Sequence, residues 1–190
     1  EMRERFEYAN KTWSDNRDRY KEDVEFANGT QWPETIQKER DNNGQPCLVV
    51  DKLNQYIRQV VNDSRQNRPS IKVRPVDSEA DIETAEILAG ICKHIEDRSD
   101  ASAAYDTAIE SAVKGGFGFI RILTEYAHEN TFEQEIVIER VRNPLSVLID
   151  PDCKKADFSD ARYVFIVDSM DEDELKKNYP DAEKLGDFDT

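Results

Sequence analysis

Between Ser99 and Tyr126 the chain passes from a helix with an apolar stripe, through paired glycines, into a strand, and this junction limits what the rest can become. Ala101, Ala104, Tyr105, Ala108, Ile109, Ala112 and Val113 recur at three- and four-residue spacing, which lines one helix face with small side chains. Such a face packs closely on a sheet. Gly115 and Gly116 supply the backbone that ends a helix, and Phe117, Phe119, Ile120, Ile122 and Leu123 read as a strand. Apolar residues on both its faces predict a central, buried position. The expectation is that Ala101, Tyr105, Ala108, Ile109, Ala112 and Val113 face the sheet containing Phe119 to Leu123. A phosphate-cradling loop needs a strand before its glycines and a helix after them; here the order is reversed, so the glycines read as a helix cap.

Taken in order, Phe6, Ala9, Trp13, Tyr20, Val24 and Ala27 place an intermittent stripe on a helix of about 25 residues that ends at Asn28-Gly29. Trp32-Pro33 opens a short helix or turn through Arg40, and Asp41 to Pro46 is a loop. Leu53, Ile57, Val60, Val61 and Ser64 mark a second helix that closes before Arg68-Pro69, followed by a short extended piece from Ser70 to Arg74. Ile82, Ala85, Leu88, Ala89, Cys92 and Ile95 predict a helix over about Glu79 to Arg98, and Ser99 or Asp100 caps the next one.

After the Phe117 strand, Ala127 to Thr131 is a hairpin-length loop and Phe132 to Arg142 the returning strand. Leu145 to Ile149 and Ala161 to Val167 are further strand candidates, separated by a turn at Asp150-Pro151-Asp152-Cys153. Ser169 or Asp171 with Glu174 predicts a capping box on a final helix that stops at Tyr179-Pro180. The fold class is therefore α+β, helices first and then an antiparallel sheet of three or four strands. Residues 1–190 read as a single α+β region: 1–75 helical with a short extended segment, 76–190 helices plus the sheet. Glu1 is not an initiator methionine and Asp187-Phe188-Asp189-Thr190 is no obvious terminus, so the chain reads as a piece of something longer.

Charge narrows the function classes. The net charge is −15, with 37% hydrophobic and 35% charged residues, enough for a core under a large solvated surface. Residues 150–190 hold 13 acids against 6 bases, whereas residues 52–74 hold Lys52, Arg58, Arg65, Arg68, Lys72 and Arg74 against Asp63 alone. That basic stretch is the candidate nucleic-acid footprint, but Tyr56 is its one aromatic residue and the overall field repels a polyanion. It reads as a solvated face or a contact with an acidic neighbour. No apolar run reaches the roughly 18 residues of a membrane span, and three unspaced cysteines suit a reducing cytosol better than a disulfide framework.

Catalytic and metal motifs are missing. His94 sits on a helix and His128 in a loop, with no zinc spacing to each other or to a cysteine. Asp150, Asp152, Asp157 and Asp160 suggest a cation loop, yet a calcium loop wants glycine and glutamate where Lys155 and Ala161 stand. A turn of solvated acids is the simpler reading. Cys92 reads as core, and Cys47 and Cys153 have no base beside them. No catalytic, cofactor-binding or metal-binding residue is assigned, and no cofactor is expected; the chain reads as a binding or structural part, not an enzyme.

Phe26-Ala27-Asn28-Gly29-Thr30-Gln31-Trp32, the run Asn67 to Pro75, the helix-glycine-strand from Ala112 to Arg121, and Asn143-Pro144 through Asp150-Pro151 to Ser159-Asp160-Ala161 occur in an order that resembles portal proteins of short-tailed bacteriophages, in their amino-terminal part. The resemblance implies a dodecameric ring of portal subunits at one capsid vertex. DNA enters through it during packaging and leaves at infection, and terminase and later the tail dock on it, with capsid and scaffolding proteins around it. It implies a virion component made in the bacterial host cytoplasm, without a membrane. Stem helices and a terminase-facing clip are not recognisable, so the resemblance places these residues in the outer wing, where tight DNA binding is not expected. Two other classes fit the charge: an acidic protein-binding module or DNA mimic, and a Mg²⁺-dependent nuclease built on the Asp150 to Asp160 cluster.

Overall fold

The computed structural model describes residues 1–68, 71–75, 82–128, 130–155 and 157–179. Seven α-helices and two small antiparallel sheets occupy them, an α+β arrangement. The expected long first helix is two, α1 (Met2–Thr12) and α2 (Ser14–Ala27), joined at Trp13, whose φ of −81° and ψ of −5° keep the chain nearly helical. Of its stripe, Ala9, Tyr20 and Ala27 are buried.

Next come α3 (Glu34–Asn42) and α4 (Leu53–Gln66). Ile57 and Val61 of α4 close a small cluster with Ala27, and Val113 packs against it. Residues 71–75 form neither helix nor strand. Helix α5 is described over Ile82–Arg98, so the start expected at Glu79 lies outside the described residues. Its packing differs from expectation: Ala85 is buried, but Ile82 and Leu88 are 66% and 47% exposed and Cys92 is only half-buried. The stripe is broader than the surface that meets it.

Helix α6 (Ala101–Gly115) follows after a tight turn. Asp100 stands at its N-cap, but with φ 47° and no capping bond from its side chain; the short α5–α6 connection needs a left-handed residue, a role aspartate tolerates. At the other end Gly116 takes φ 92° and its N–H donates to the Ala112 carbonyl, the helix end expected from the paired glycines. The neighbouring glycines serve close approach. A Cβ on Gly115 would lie 2.2 Å from Cδ2 of Tyr20, and one on Gly118 would lie 2.0 Å from the Ala108 carbonyl oxygen.

The strand after the junction is corrected in three respects. It begins at Ile120, as β1 (Ile120–Tyr126), and among the described residues pairs with β2 (Gln134–Arg140) alone, Ile122 opposite Ile138. It is an exposed edge rather than a buried centre. Phe117 and Phe119 instead join an aromatic group in which Phe117 lies 5.9 Å from Trp13 and 4.8 Å from Tyr20 between ring centroids. Helix α6 lies over β2 rather than β1: Ala101 and Ala104 bury Ile138, with Ile95 and Tyr105 alongside. Val113 points into the α2–α4 cluster and Ala112 is exposed, so the expected sheet-facing row is split between two partners.

The single sheet of three or four strands is also corrected. A 3₁₀ turn at Pro144–Ser146 leads into β3 (Val147–Ile149), which pairs antiparallel with β4 (Val164–Ile166) as a separate sheet. The outer edge of β3 is occupied, because Trp13 Nε1 donates to the Ile149 carbonyl at 2.9 Å. Helix α7 (Glu172–Asn178) starts at Asp171 without the expected capping bond from that side chain. Among the described residues large apolar side chains such as Tyr56, Ile82, Ile122 and Phe132 are more than 60% exposed.

Candidate functional site

The acidic turn is the first candidate, and the backbone explains its shape. Asp150 leaves β3 and Arg162 precedes β4, so the antiparallel pairing closes the intervening loop and brings the two side chains together. Asp150 is 2% exposed, not a solvated acid. It accepts from Arg162 Nε at 2.7 Å and Nη2 at 3.2 Å, and from the Asp152 and Arg162 backbone N–H groups. Arg162 Nη2 also reaches Asp152 at 2.5 Å. Bidentate pairing with a guanidinium is the strong form of such contacts. The Arg162 hydrogen bonds, against the opposing effect of burial, hold the Asp150 carboxyl down to about 2, and Asp150 raises Arg162 in turn.

The other acids serve their own loop. Asp160 accepts from the backbone N–H groups of Lys154 and Lys155, the main cause of its lowered pKa, and Asp157 accepts from Ser159 N–H. Among the described residues no group of three or more His, Cys, Asp or Glu side chains is placed to hold a metal ion. Asp150 and Asp152 are engaged by Arg162, and the turn is a latch that ties α1 to β3 and β4. Tyr8 adds to it by donating to Asp152 at 3.3 Å. Arg162 was the residue the sequence reading missed. Its signal in the sequence is a base directly before an apolar strand, after an acidic loop that also holds Lys154 and Lys155.

The remaining candidates disperse. His94 is exposed on α5 and His128 is exposed in the hairpin loop. Cys47, Cys92 and Cys153 are free and half-buried, and burial pushes the Cys153 thiol up. In the basic stretch, Arg65 Nε and Arg68 Nη2 both meet Asp106 of α6, at 3.0 and 2.6 Å. Two of the six bases thus pin α4 to α6, the acidic-neighbour reading. No helix among the described residues is long and apolar enough to cross a membrane.

What the molecule presents outward is apolar surface on helices and strand edges. Tyr56, Val60, Ile87, Ile91, Ile122 and Ile136 are all 47% or more exposed. Contiguous exposed apolar patches mark interaction surfaces. The family described as Phage P22-like portal protein matches residues 3–189. The Portal protein of Acyrthosiphon pisum secondary endosymbiont phage 1 is 30% identical over 138 residues, which cover 70% of this chain and 19% of that protein. The matched region thus spans about a fifth of that relative's length.

Proposed function

Because the chain belongs to the phage P22-like portal protein family, we propose that it is part of a portal subunit, the ring at one capsid vertex through which DNA is packaged and ejected. The single observation that carries this reading is the family match, which runs over residues 3–189. The uncovered apolar surface supports it, since a ring subunit needs faces for its neighbours. In this reading residues 1–190 are one α+β region of the outer wing, structural and without catalysis or cofactor. The intact ring is dodecameric and contacts capsid and scaffolding proteins, with terminase and then tail proteins docking on it. Its place is the virion, after synthesis in the host cytoplasm. A net charge of −15 suits a wing that flanks the channel without holding DNA, because like charge prevents phosphate neutralisation.

Immunogold labelling of purified phage heads with an antibody against this chain tests the proposal. A single labelled vertex per head is the expected result. Label spread over the whole shell, or absent from heads, would overturn it.

A further inference from the structure

Strand β1 offers an open hydrogen-bonding edge, and the register identifies which of its backbone groups point outward. The Ala127 N–H donates to the Glu133 carbonyl at 2.9 Å, and these two residues lie directly opposite each other where the β1–β2 register continues. Bonded and non-bonded pairs alternate along an antiparallel ladder, so Arg121, Leu123 and Glu125 stand in the bonded pairs with β2. The N–H and C=O groups of Ile120, Ile122, Thr124 and Tyr126 therefore point away from β2, to a side that no strand among the described residues occupies. Natural proteins blunt such an edge with proline, a bulge or a cover. Seven-residue β1 has no proline and pairs with β2 without a bulge.

The charges on β1 select the strand that fits there. Glu125 lies opposite Glu135, a like-charge pair, and the base that meets Glu135 is Arg98. Among the described residues no ion pair reaches Glu125 itself. Arg121 meets Glu139 at 3.5 Å through Nη1 alone, with both side chains about half exposed, so its other N–H groups stay open. We infer that β1 takes the β1 strand of a second copy, antiparallel and centred on Leu123. In that register Ile120 faces the partner's Tyr126 and Ile122 the partner's Thr124, and the outward backbone groups exchange hydrogen bonds. Arg121 faces the partner's Glu125 in the intervening pairs, where side chains approach more closely, and does so twice per dimer. Other alignments fail. A parallel pairing sets like charges side by side, a shift of one residue turns the outward groups toward residues whose own groups point away, and a shift of two sets Arg121 against Leu123 or Ala127. An unrelated strand has no reason to carry an acid and a base at those two places, whereas β1 carries both. A two-fold pair closes on itself and cannot run round a ring, so the inference goes beyond the portal reading and does not rest on it.

Sedimentation of the whole chain up to about 1 mM, a range suited to a contact this small, tests the pairing. The wild type is expected to pass from monomer to dimer with concentration and stop there. Arg121→Glu leaves only acids on the edge and Glu125→Arg only bases, so each variant alone should dimerise about tenfold more weakly or worse. Their equimolar mixture should recover the dimer, because the acidic edge of one then faces the basic edge of the other. Ile122→Pro should stay monomeric, since it removes an outward N–H and leaves the bonds to β2 in place. Circular dichroism and the thermal midpoint establish that each variant is folded, and the two exposed charge variants decide the matter should the proline variant unfold. A wild type that stays monomeric throughout, the result expected if a different polypeptide segment covers the edge, overturns the pairing, and so does one that grows beyond dimer mass. Charge variants that dimerise as the wild type does, or a mixture no tighter than its components, overturn it equally. Each of these leaves the portal reading standing, since that depends on the vertex labelling.

Discussion

Both sheets among the described residues are two-stranded and antiparallel, yet β3 of one and β1 of the other live in opposite environments. All three residues of β3, Val147, Leu148 and Ile149, are buried, and so is Asp150 after them. In β1, seven residues long and just as apolar at Ile120, Ile122 and Leu123, six of the seven are exposed. Strand composition does not account for the difference; coverage does. Helix α1 lies against β3 and Trp13 takes its outer edge, whereas α6 and α5 rest on β2 and leave β1 as an open edge. A two-stranded sheet is marginal by itself, so each depends on what covers it. Strand β3 is sealed within the chain, whereas β4 beside it, exposed at Val164 and Ile166, and β1 in the hairpin remain open.

The junction between α6 and β1, where Phe117 also meets Trp13, is the most sensitive point. Gly118→Ala is expected to cost about 3 kcal/mol or more, because the new methyl would meet a backbone carbonyl that has no rotamer to escape into. Thermal denaturation would show it; an unchanged midpoint would mean the α6–strand approach is looser than described.

Within the sealed region, Leu148→Ala should destabilise by about 2–4 kcal/mol, since Leu148 is 1% exposed and its removal leaves a cavity. The matching change in the hairpin, Ile122→Ala, should stay within about 0.5 kcal/mol in the isolated chain, because Ile122 is 67% exposed. Equal losses at the two sites, read by denaturant unfolding, would erase the contrast between the sheets.

The latch gives that contrast a pH signature. The Asp150 carboxyl is held at about 2, below its ordinary value of 3.8, so its contribution is fully present above the ordinary value and disappears as pH falls toward 2. Unfolding measured from pH 5 to pH 2 should show Asp150→Asn less stable than wild type at the upper end, with the gap closing at the lower. A gap that stayed constant would mean the pair does not hold the carboxylate ionised.

The smallest expected effect concerns DNA. Little binding to duplex DNA is expected at physiological salt, and Arg65→Ala with Arg68→Ala should change little, since both arginines are engaged by Asp106 and the field is repulsive. Salt-sensitive micromolar binding by fluorescence anisotropy, abolished in the double variant, would make α4 a DNA surface instead.

Much of this architecture was legible in the chain. Periodicity located the cores of α2, α4, α5 and α6, the paired glycines located the end of α6, and alternating apolar residues with a polar loop located the β1–β2 hairpin, because each of these signals is local. The order of short motifs pointed to the portal family, which the comparison then showed. What residues lie against was not legible. An apolar stripe states that a face prefers to leave water but not which neighbour takes it, so α6 was assigned wholly to one sheet when it serves β2 with Ala101 and Ala104 and the α2–α4 cluster with Val113. The same limit hid the Asp150–Arg162 latch, since residues twelve apart meet only once β3 and β4 pair and close the loop between them. Sequence determined the elements because backbone preference and side-chain period act within a few residues; burial, ion pairing and sheet membership were decided by tertiary contact between segments far apart in the chain.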